Sequence, residues 1–141
     1  MPYAHLLVAV AVTTESQKLL AQAIDIARPC NARVTLITLA SDPELYNQLA
    51  APMMENVRNV LQEEIQQFLD GLVRDANYPI ERTIIASGEL SEHILHVCRT
   101  QSVDLVVCGN HNRTFLARVA CSAKSIVLAS EVDVLLVTLR E

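Results

Sequence analysis

The sequence has no tryptophan, few aromatic residues (4%) and only three glycines among 141 residues, whereas 51% of its residues are hydrophobic. It also contains no stretch long and apolar enough to cross a bilayer, and no signal-peptide pattern follows Met1. No linker or internal repeat divides the chain, so we expect residues 1–141 to form a single domain. These features predict a cytoplasmic protein without a membrane partner.

Clusters of basic residues are absent as well. The formal net charge is −5, from 11 Lys and Arg against 16 Asp and Glu. A surface of this charge repels phosphate backbones and anionic headgroups. We therefore expect no nucleic-acid partner.

The four cysteines lack the spacing of a metal site or a redox pair. No Cys-x-x-Cys occurs, and no histidine neighbours a cysteine at ligand spacing. His93 and His96 are three residues apart on a predicted helix, but no strict motif supplies a third ligand, and the solvated flank of that helix is the better interpretation. We expect no metal, no cofactor, and reduced, mostly buried thiols at Cys30, Cys98, Cys108 and Cys121.

Apolar runs alternate with segments of helical periodicity along the whole chain. The continuous runs are typical of strands covered on both faces, and they occupy residues 6–12, 34–39, 80–86, 103–108 and 132–139. A capping box at 14–17 opens the first helix, and Pro29 and Asn31 are expected to break it. Further helices are predicted from Pro52 to about residue 76, over 89–100 and over 116–127. The alternation predicts an α/β fold with a doubly wound, five-stranded parallel sheet and helices on both faces.

Such a sheet binds ligands outside the carboxyl ends of its strands, where the connections change direction. The loops after Val12, Leu39 and Cys108 should meet there. A phosphate-binding loop needs several glycines, because only residues without a Cβ turn successive N–H groups onto one anion. Here Gly109 stands alone and is followed by Asn110-His111-Asn112-Arg113. This polar loop could hold a small anion through Arg113 and the next helix N-terminus, and an ordinary solvated loop is an equally good interpretation.

Three segments carry a resemblance to a known family: residues 6–10, 104–109 and 132–137. Together they resemble the universal stress protein family, in its enterobacterial A-like branch, and the resemblance extends over essentially the whole chain. It implies the sheet order 3-2-1-4-5, a cytoplasmic location and dimerisation.

The same resemblance implies weak or absent ATP binding. Many members of the family bind ATP through a Gly-x2-Gly-x9-Gly-Ser/Thr motif after the fourth strand and an aspartate ending the first strand. Only Gly109 matches that pattern, since Asn112, Ser122 and Ala123 stand at the later motif positions and Ala11 stands at the aspartate. The candidate crevice, as a degraded nucleotide site, comprises Val10, Ala11, Val12, Leu39, Gly109, Asn110, His111, Asn112, Arg113, Ser122 and Ala123.

In this order the last strand is an edge, with unpaired main-chain groups, apolar side chains and only Asp133 as a charged residue within it. We expect it to pair with a second copy about a two-fold axis, the alternative being an edge blunted by Arg140 and Glu141. The predicted dimer edge comprises Val132, Val134, Leu135, Leu136, Val137 and Leu139.

Catalytic patterns are missing from the sequence: it offers no carboxylate pair, no Ser/His/Asp spacing and no nucleophile elbow. The chain is therefore expected to be no enzyme. The function expected is that of a homodimeric stress-response factor acting through regulatory or signalling proteins, with pairing to paralogues as an option. The alternative is a module that senses an adenine nucleotide or a small anion in the crevice.

Overall fold

Parallel strands form one sheet in the computed structural model, which describes residues 3–10, 15–39, 51–86, 90–110 and 132–138. The strands are β1 (His5–Ala9), β2 (Arg33–Leu39), β3 (Arg82–Ala86), β4 (Leu105–Asn110) and β5 (Asp133–Thr138). Their order is β3-β2-β1-β4-β5, and each neighbouring pair is parallel. The expected strand order is confirmed.

Three helices are described: α1 (Glu15–Cys30), α2 (Ala51–Asp75) and α3 (Leu90–Gln101). The prediction that Pro29 breaks α1 is wrong, because the helix includes Pro29 and continues to Cys30. Pro29 removes the hydrogen bond to the Asp25 carbonyl, but both residues are on the exposed side of the helix, where water can bond that carbonyl instead. The predicted helix over 116–127 lies outside the described residues.

Asparagine and serine end the helices in this glycine-poor chain. Asn31, Asn77 and Ser102 follow the three helices with φ values of 54°, 53° and 57°. At Asn31 the N–H donates to the Arg28 carbonyl (3.1 Å), and the N–H of Ala32 donates to that of Ala27 (3.0 Å), which is the Schellman arrangement. Asparagine tolerates the left-handed region better than most residues with a Cβ, so α1 ends at Cys30, one residue after Pro29, and Asn31 closes it without a glycine.

The core lies in two layers, one on each face of the sheet, because successive strand side chains point to opposite faces. Helices α1 and α2 cover one face, where the buried residues include Leu6, Val8, Val34, Leu36, Leu105 and Val107 together with Leu19, Leu20, Ala23, Ile24, Ile65, Leu69 and Leu72. Helix α3 covers the other face, where Leu7, Ala9, Ile37, Val106 and Cys108 pack with Ile94, Val97 and Cys98. The doubly wound α/β class is thereby confirmed.

The strand boundaries differ from the predicted ones in ways that main-chain pairing explains. β1 begins at His5 and ends at Ala9, and residues 11 and 12 lie outside the described part. β3 begins at Arg82 rather than at residue 80, with the N–H of Glu81 bound to the Val34 carbonyl (2.8 Å) just before it. Apolar character alone marks a buried segment, whereas a strand begins only where its N–H groups meet a neighbour.

None of the described helices combines the length and the apolar character that a bilayer span requires.

Candidate functional site

The predicted crevice is the carboxyl edge between β1 and β4. These strands are neighbours, with Ala9 opposite Cys108, and the chain proceeds from β1 toward β3 on one side and from β4 to β5 on the other. Val10, directly after β1, is buried, and its N–H donates to the Ile37 carbonyl at 2.9 Å. Val10 therefore extends the main-chain pairing with β2 up to the rim of the crevice.

β4 reaches further toward this rim than the sequence predicted. Gly109 was expected to begin the loop, but Gly109 and Asn110 are both strand residues, opposite Val137 and Thr138 of β5. The reason is that β5 supplies partners for two more residues than the apolar run of β4 contains. Gly109, the single glycine that matches the family motif, is a buried residue of the sheet.

Four of the predicted crevice residues fall within the described part of the chain, and each lies within the last two residues of a strand or directly after it: Val10, Leu39, Gly109 and Asn110. The remaining seven, Ala11, Val12, His111, Asn112, Arg113, Ser122 and Ala123, lie outside it. The structure places the first set at one edge of the sheet, and their role as a ligand site, like the chemistry assigned to the second set, stays a prediction.

The described part of the carboxyl edge is almost devoid of reactive groups. The last two residues of each described strand include no acid, no base and no thiol. They are Val8-Ala9, Thr38-Leu39, Ile85-Ala86, Gly109-Asn110 and Val137-Thr138. Within the same described ranges, no group of three or more His, Cys, Asp or Glu residues could hold a metal ion. His93 and His96 are both exposed on α3.

One polar group at this edge was missed by sequence reasoning. Thr38 is 1% exposed, and its Oγ1 has no hydrogen-bond partner within the part of the chain that the structure describes. A buried hydroxyl without a partner costs about 1–3 kcal/mol. The only sequence signal for it is a threonine inside the otherwise apolar end of β2.

A dense polar network instead lies at the opposite, amino edge of the sheet. His5 is fully buried at the start of β1. Its Nδ1 is 2.9 Å from the Gln101 carbonyl at the end of α3, and its Nε2 is 2.7 Å from Thr35 Oγ1 and 3.6 Å from a Glu81 carboxylate oxygen. Because a carbonyl only accepts, we assign a proton to Nδ1, which donates to the Gln101 carbonyl, while Nε2 forms a hydrogen bond with the Thr35 hydroxyl, a group that can donate or accept.

This network joins β1, β2 and α3, and Glu81 brings in the start of β3. Arg33 Nη1 contacts the Glu81 carboxylate at 3.5 Å, and the two side chains are half exposed. The arrangement gives hydrogen-bond partners to buried polar groups at the edge of the sheet opposite the crevice. We therefore interpret its role as structural. The signal for this network in the sequence was His5, which directly precedes the apolar run of β1.

β5 is the outer strand beside β4, and its side chains differ sharply in exposure. Val137 is buried at 6% exposure, Val134 and Leu135 are partly buried against the two core layers, and Leu136 is 45% exposed. The expected row of exposed apolar side chains is thus narrower than predicted. Among described residues, Leu136 is the exposed large hydrophobic one, and Leu139 lies outside the described part.

Asp133, the charged residue expected within the edge strand β5, is hydrogen-bonded to Tyr3. The Tyr3 hydroxyl donates to Asp133 Oδ2 at 3.0 Å, and this bond to a carboxylate raises the pKa of Tyr3. Asp133 therefore sits at the amino end of β5, three residues before Leu136, and leaves the apolar part of the edge without a charge.

Comparison with known proteins gives the same assignment over nearly the whole chain. The sequence profile of the universal stress protein family matches residues 2–138. Universal stress protein C of Escherichia coli O6:H1 strain CFT073 is 65% identical over 139 residues, covering 99% of this chain and 98% of the relative. That of Salmonella typhimurium strain LT2 is 67% identical over 139 residues, with the same coverage. The predicted resemblance to the universal stress protein family is confirmed, and both of these relatives are universal stress protein C.

Solved structures agree at the level of the fold. Hypothetical protein MJ0577 superposes with a TM-score of 0.78 at 16% identity, covering 100% of this chain and 99% of that protein. A universal stress protein described as a complex with cAMP gives a TM-score of 0.64 at 19% identity, covering 98% of both chains. Identities this low show a shared fold alone. The family match and the close relatives, however, show that this chain belongs to the universal stress protein family.

Proposed function

We propose that the chain is a dimeric, cytoplasmic stress-response factor that acts through protein partners, without enzymatic chemistry of its own and with little or no ATP binding. Family membership supports the stress-response role. The observation that carries the proposed dimer is Leu136, 45% exposed on the outer strand of the sheet. A large apolar side chain on an edge strand with free N–H and C=O groups is stabilised when a second strand covers it.

Pairing of two β5 strands about a two-fold axis supplies that cover. In an antiparallel pair each copy gives the same strand, so the Leu136 side chains of both copies leave water together. The same edge would accept the β5 of a paralogue. Regulatory or signalling proteins then meet the surfaces that the dimer leaves exposed.

Loss of ATP binding is supported by the composition of the crevice. Asn112 and Ser122 put side chains where phosphate must approach the main chain, Ala123 offers no hydroxyl, and Ala11 offers no carboxylate. If two or three contacts of about 1 kcal/mol each are lost, affinity falls by roughly a hundredfold.

Two measurements test this proposal. Sedimentation velocity of the purified protein should give the mass of two 15.5 kDa chains. Calorimetric titration with Mg-ATP should show no binding tighter than about 100 μM. A monomer at micromolar concentration contradicts the dimer, and a stoichiometric micromolar isotherm contradicts the loss of ATP binding.

A second candidate is a sensor of adenine nucleotides or small anions. It is favoured by the neighbour described as a complex with cAMP, which shares the fold. His111 and Arg113 would then supply the contacts that the missing glycines do not. Parallel titrations with cAMP and inorganic phosphate separate the candidates, because a sensor binds one of them at micromolar concentration and the partner-binding factor binds neither.

A further inference from the structure

The second edge of the sheet, β3, is bordered by an open cavity. β3 pairs with β2 on one side, and within the described ranges no strand pairs with its other side. Gln62, Glu63 and Gln66 of α2 line the cavity together with Ile85 of β3, and its volume is about 510 Å³. Ile85 is partly buried and packs against the core layer beneath α2. The free edge of a strand and a groove beside it therefore lie next to each other.

The chemistry of this groove suits a peptide better than a nucleotide. Glutamine amides both donate and accept, as a peptide main chain does, and Glu63 is the charged group that lines the cavity among the described residues. Between Gln62 and Val73, α2 carries Glu63, Glu64 and Asp70 and no lysine or arginine, and its arginines, Arg58 and Arg74, lie on either side of this stretch. A phosphate would be repelled there, whereas a basic side chain would be attracted.

We propose that the β3 edge and the groove beside α2 bind an extended segment of a partner protein that carries a lysine or arginine. The segment adds to β3 as a further strand, and its basic side chain enters the groove beside Glu63. Main-chain hydrogen bonds supply affinity and the pocket supplies selectivity, as in other cases of strand addition. The volume lies in the range of about 300–1,000 Å³ found for ligand pockets, so it accommodates the side chain with part of its main chain.

This inference rests on the proposed function in one respect, namely that the protein acts through protein partners. It assigns them a different edge of the sheet from the one assigned to the dimer. A failed peptide titration leaves the dimer mass and the Mg-ATP titration unaffected, so failure of this inference is distinguishable from failure of the proposed function.

The test uses the full chain and a fluorescein-labelled nine-residue peptide of alternating threonine and valine with a central lysine, measured by anisotropy. α2 offers matched variants. Glu63→Gln should weaken binding about fivefold, while Glu64→Gln, the same charge change at an exposed neighbour, should alter it less than about twofold. Gln66→Ala should weaken binding as well, whereas Gln67→Ala, on an exposed residue outside the cavity lining, should not.

Two peptide analogues test the strand pairing itself. N-methylation of alternate residues removes the N–H groups along one edge of the extended peptide. Methylation of one alternating set should abolish binding, and methylation of the other set should preserve it. A norleucine in place of lysine should remove the difference between wild type and Glu63→Gln.

Equal binding of both methylated peptides, equal effects of Glu63→Gln and Glu64→Gln, or no binding up to about 1 mM would overturn the proposal. If Glu63→Gln changes the sedimentation coefficient of the protein alone, the groove is a contact between copies of this chain and the peptide assignment is wrong. Circular dichroism confirms that each variant remains folded, and all four substituted side chains are exposed, so the fold should tolerate them.

Discussion

Asp104 and His5 are joined by two hydrogen bonds in opposite directions. The Asp104 carboxylate accepts the N–H of His5 at 3.0 Å, and the N–H of Asp104 donates to the His5 carbonyl at 3.0 Å. The second carboxylate oxygen accepts the N–H of Ala4 at 2.9 Å. One side chain therefore ties the start of β1 to the start of β4, the two strands that border the crevice at their other ends.

Replacing Asp104 by alanine should lower the free energy of unfolding by about 2–3 kcal/mol, because two main-chain N–H groups lose their acceptor. Asp104→Asn keeps one acceptor oxygen and should cost less. Urea unfolding measures both. Asp25→Ala, on an exposed residue of α1, is the control and should stay within about 0.5 kcal/mol of wild type. An Asp104→Ala variant as stable as this control would show that water replaces the carboxylate.

His5→Phe should destabilise the protein by about 2–4 kcal/mol, because it leaves the Gln101 carbonyl and the buried Thr35 hydroxyl without their partner. His96→Gln, on an exposed helix position, should have little effect. In a Thr35→Val background the cost of His5→Phe should be smaller, since one orphaned group is already gone. Equal costs in both backgrounds would mean that the histidine and the threonine are not coupled.

Cys108 is fully buried, and burial, followed by the charge of the nearby Cys98, raises its pKa to about 12. The native protein should therefore resist thiol reagents at Cys108, while the partly exposed Cys30 reacts. Labelling of a Cys121→Ser variant, with the modified peptides identified by mass spectrometry, measures this. Labelling of Cys108 at the same rate as Cys30 in folded protein would contradict the buried position.

The raised pKa also sets a pH dependence. The pKa of the thiol is near its ordinary value of 9.0 in the unfolded chain and about 12 in the folded one, so the contribution to stability is complete below pH 9 and is lost progressively between these values. The loss approaches about 1.4 kcal/mol per pH unit. Cys108→Val should show a shallower decline than wild type between pH 9 and 11. Parallel curves for the two proteins would be evidence against this shift.

Leu136→Lys should convert the dimer to a monomer in sedimentation velocity while leaving the helical circular dichroism nearly unchanged, since two charges would meet at the two-fold axis. Val137→Lys is the matched comparison, because Val137 is buried in the core layer of α1 and α2 and its replacement should unfold the protein. Val134 is partly buried against the other layer, so Val134→Lys should both weaken the dimer and lower the stability of the fold. A Leu136→Lys variant that stays dimeric and folded would place the interface elsewhere.

Restoring the family motif should restore some ATP binding. The quadruple variant Ala11→Asp, Asn112→Gly, Ser122→Gly and Ala123→Ser should bind Mg-ATP at least about tenfold more tightly than wild type, a gain of roughly 1.4 kcal/mol. Calorimetric titration measures it. A folded variant without any gain would indicate that the crevice itself is closed.

The sequence by itself determined the order of elements, the parallel sheet and the layered core, because continuous apolar runs and helical stripes reflect local periodicity that the chain carries in every context. It also determined which motif residues are missing, since the absence of glycine at a position is independent of the fold. The family resemblance, read from three strand segments, supplied the strand order.

Only the tertiary structure decided where pairing begins and ends and which polar groups are shared. Gly109 and Asn110 belong to β4 because β5 lies beside them, and Pro29 stays within α1 because Asn31 closes the helix after it. His5, Thr35 and Gln101 are distant in sequence, and nothing local marks them as partners. The exposure of Leu136 beside the buried Val137 likewise follows from the packing of β5 against both core layers, since alternation assigns faces but does not say how far each face is covered.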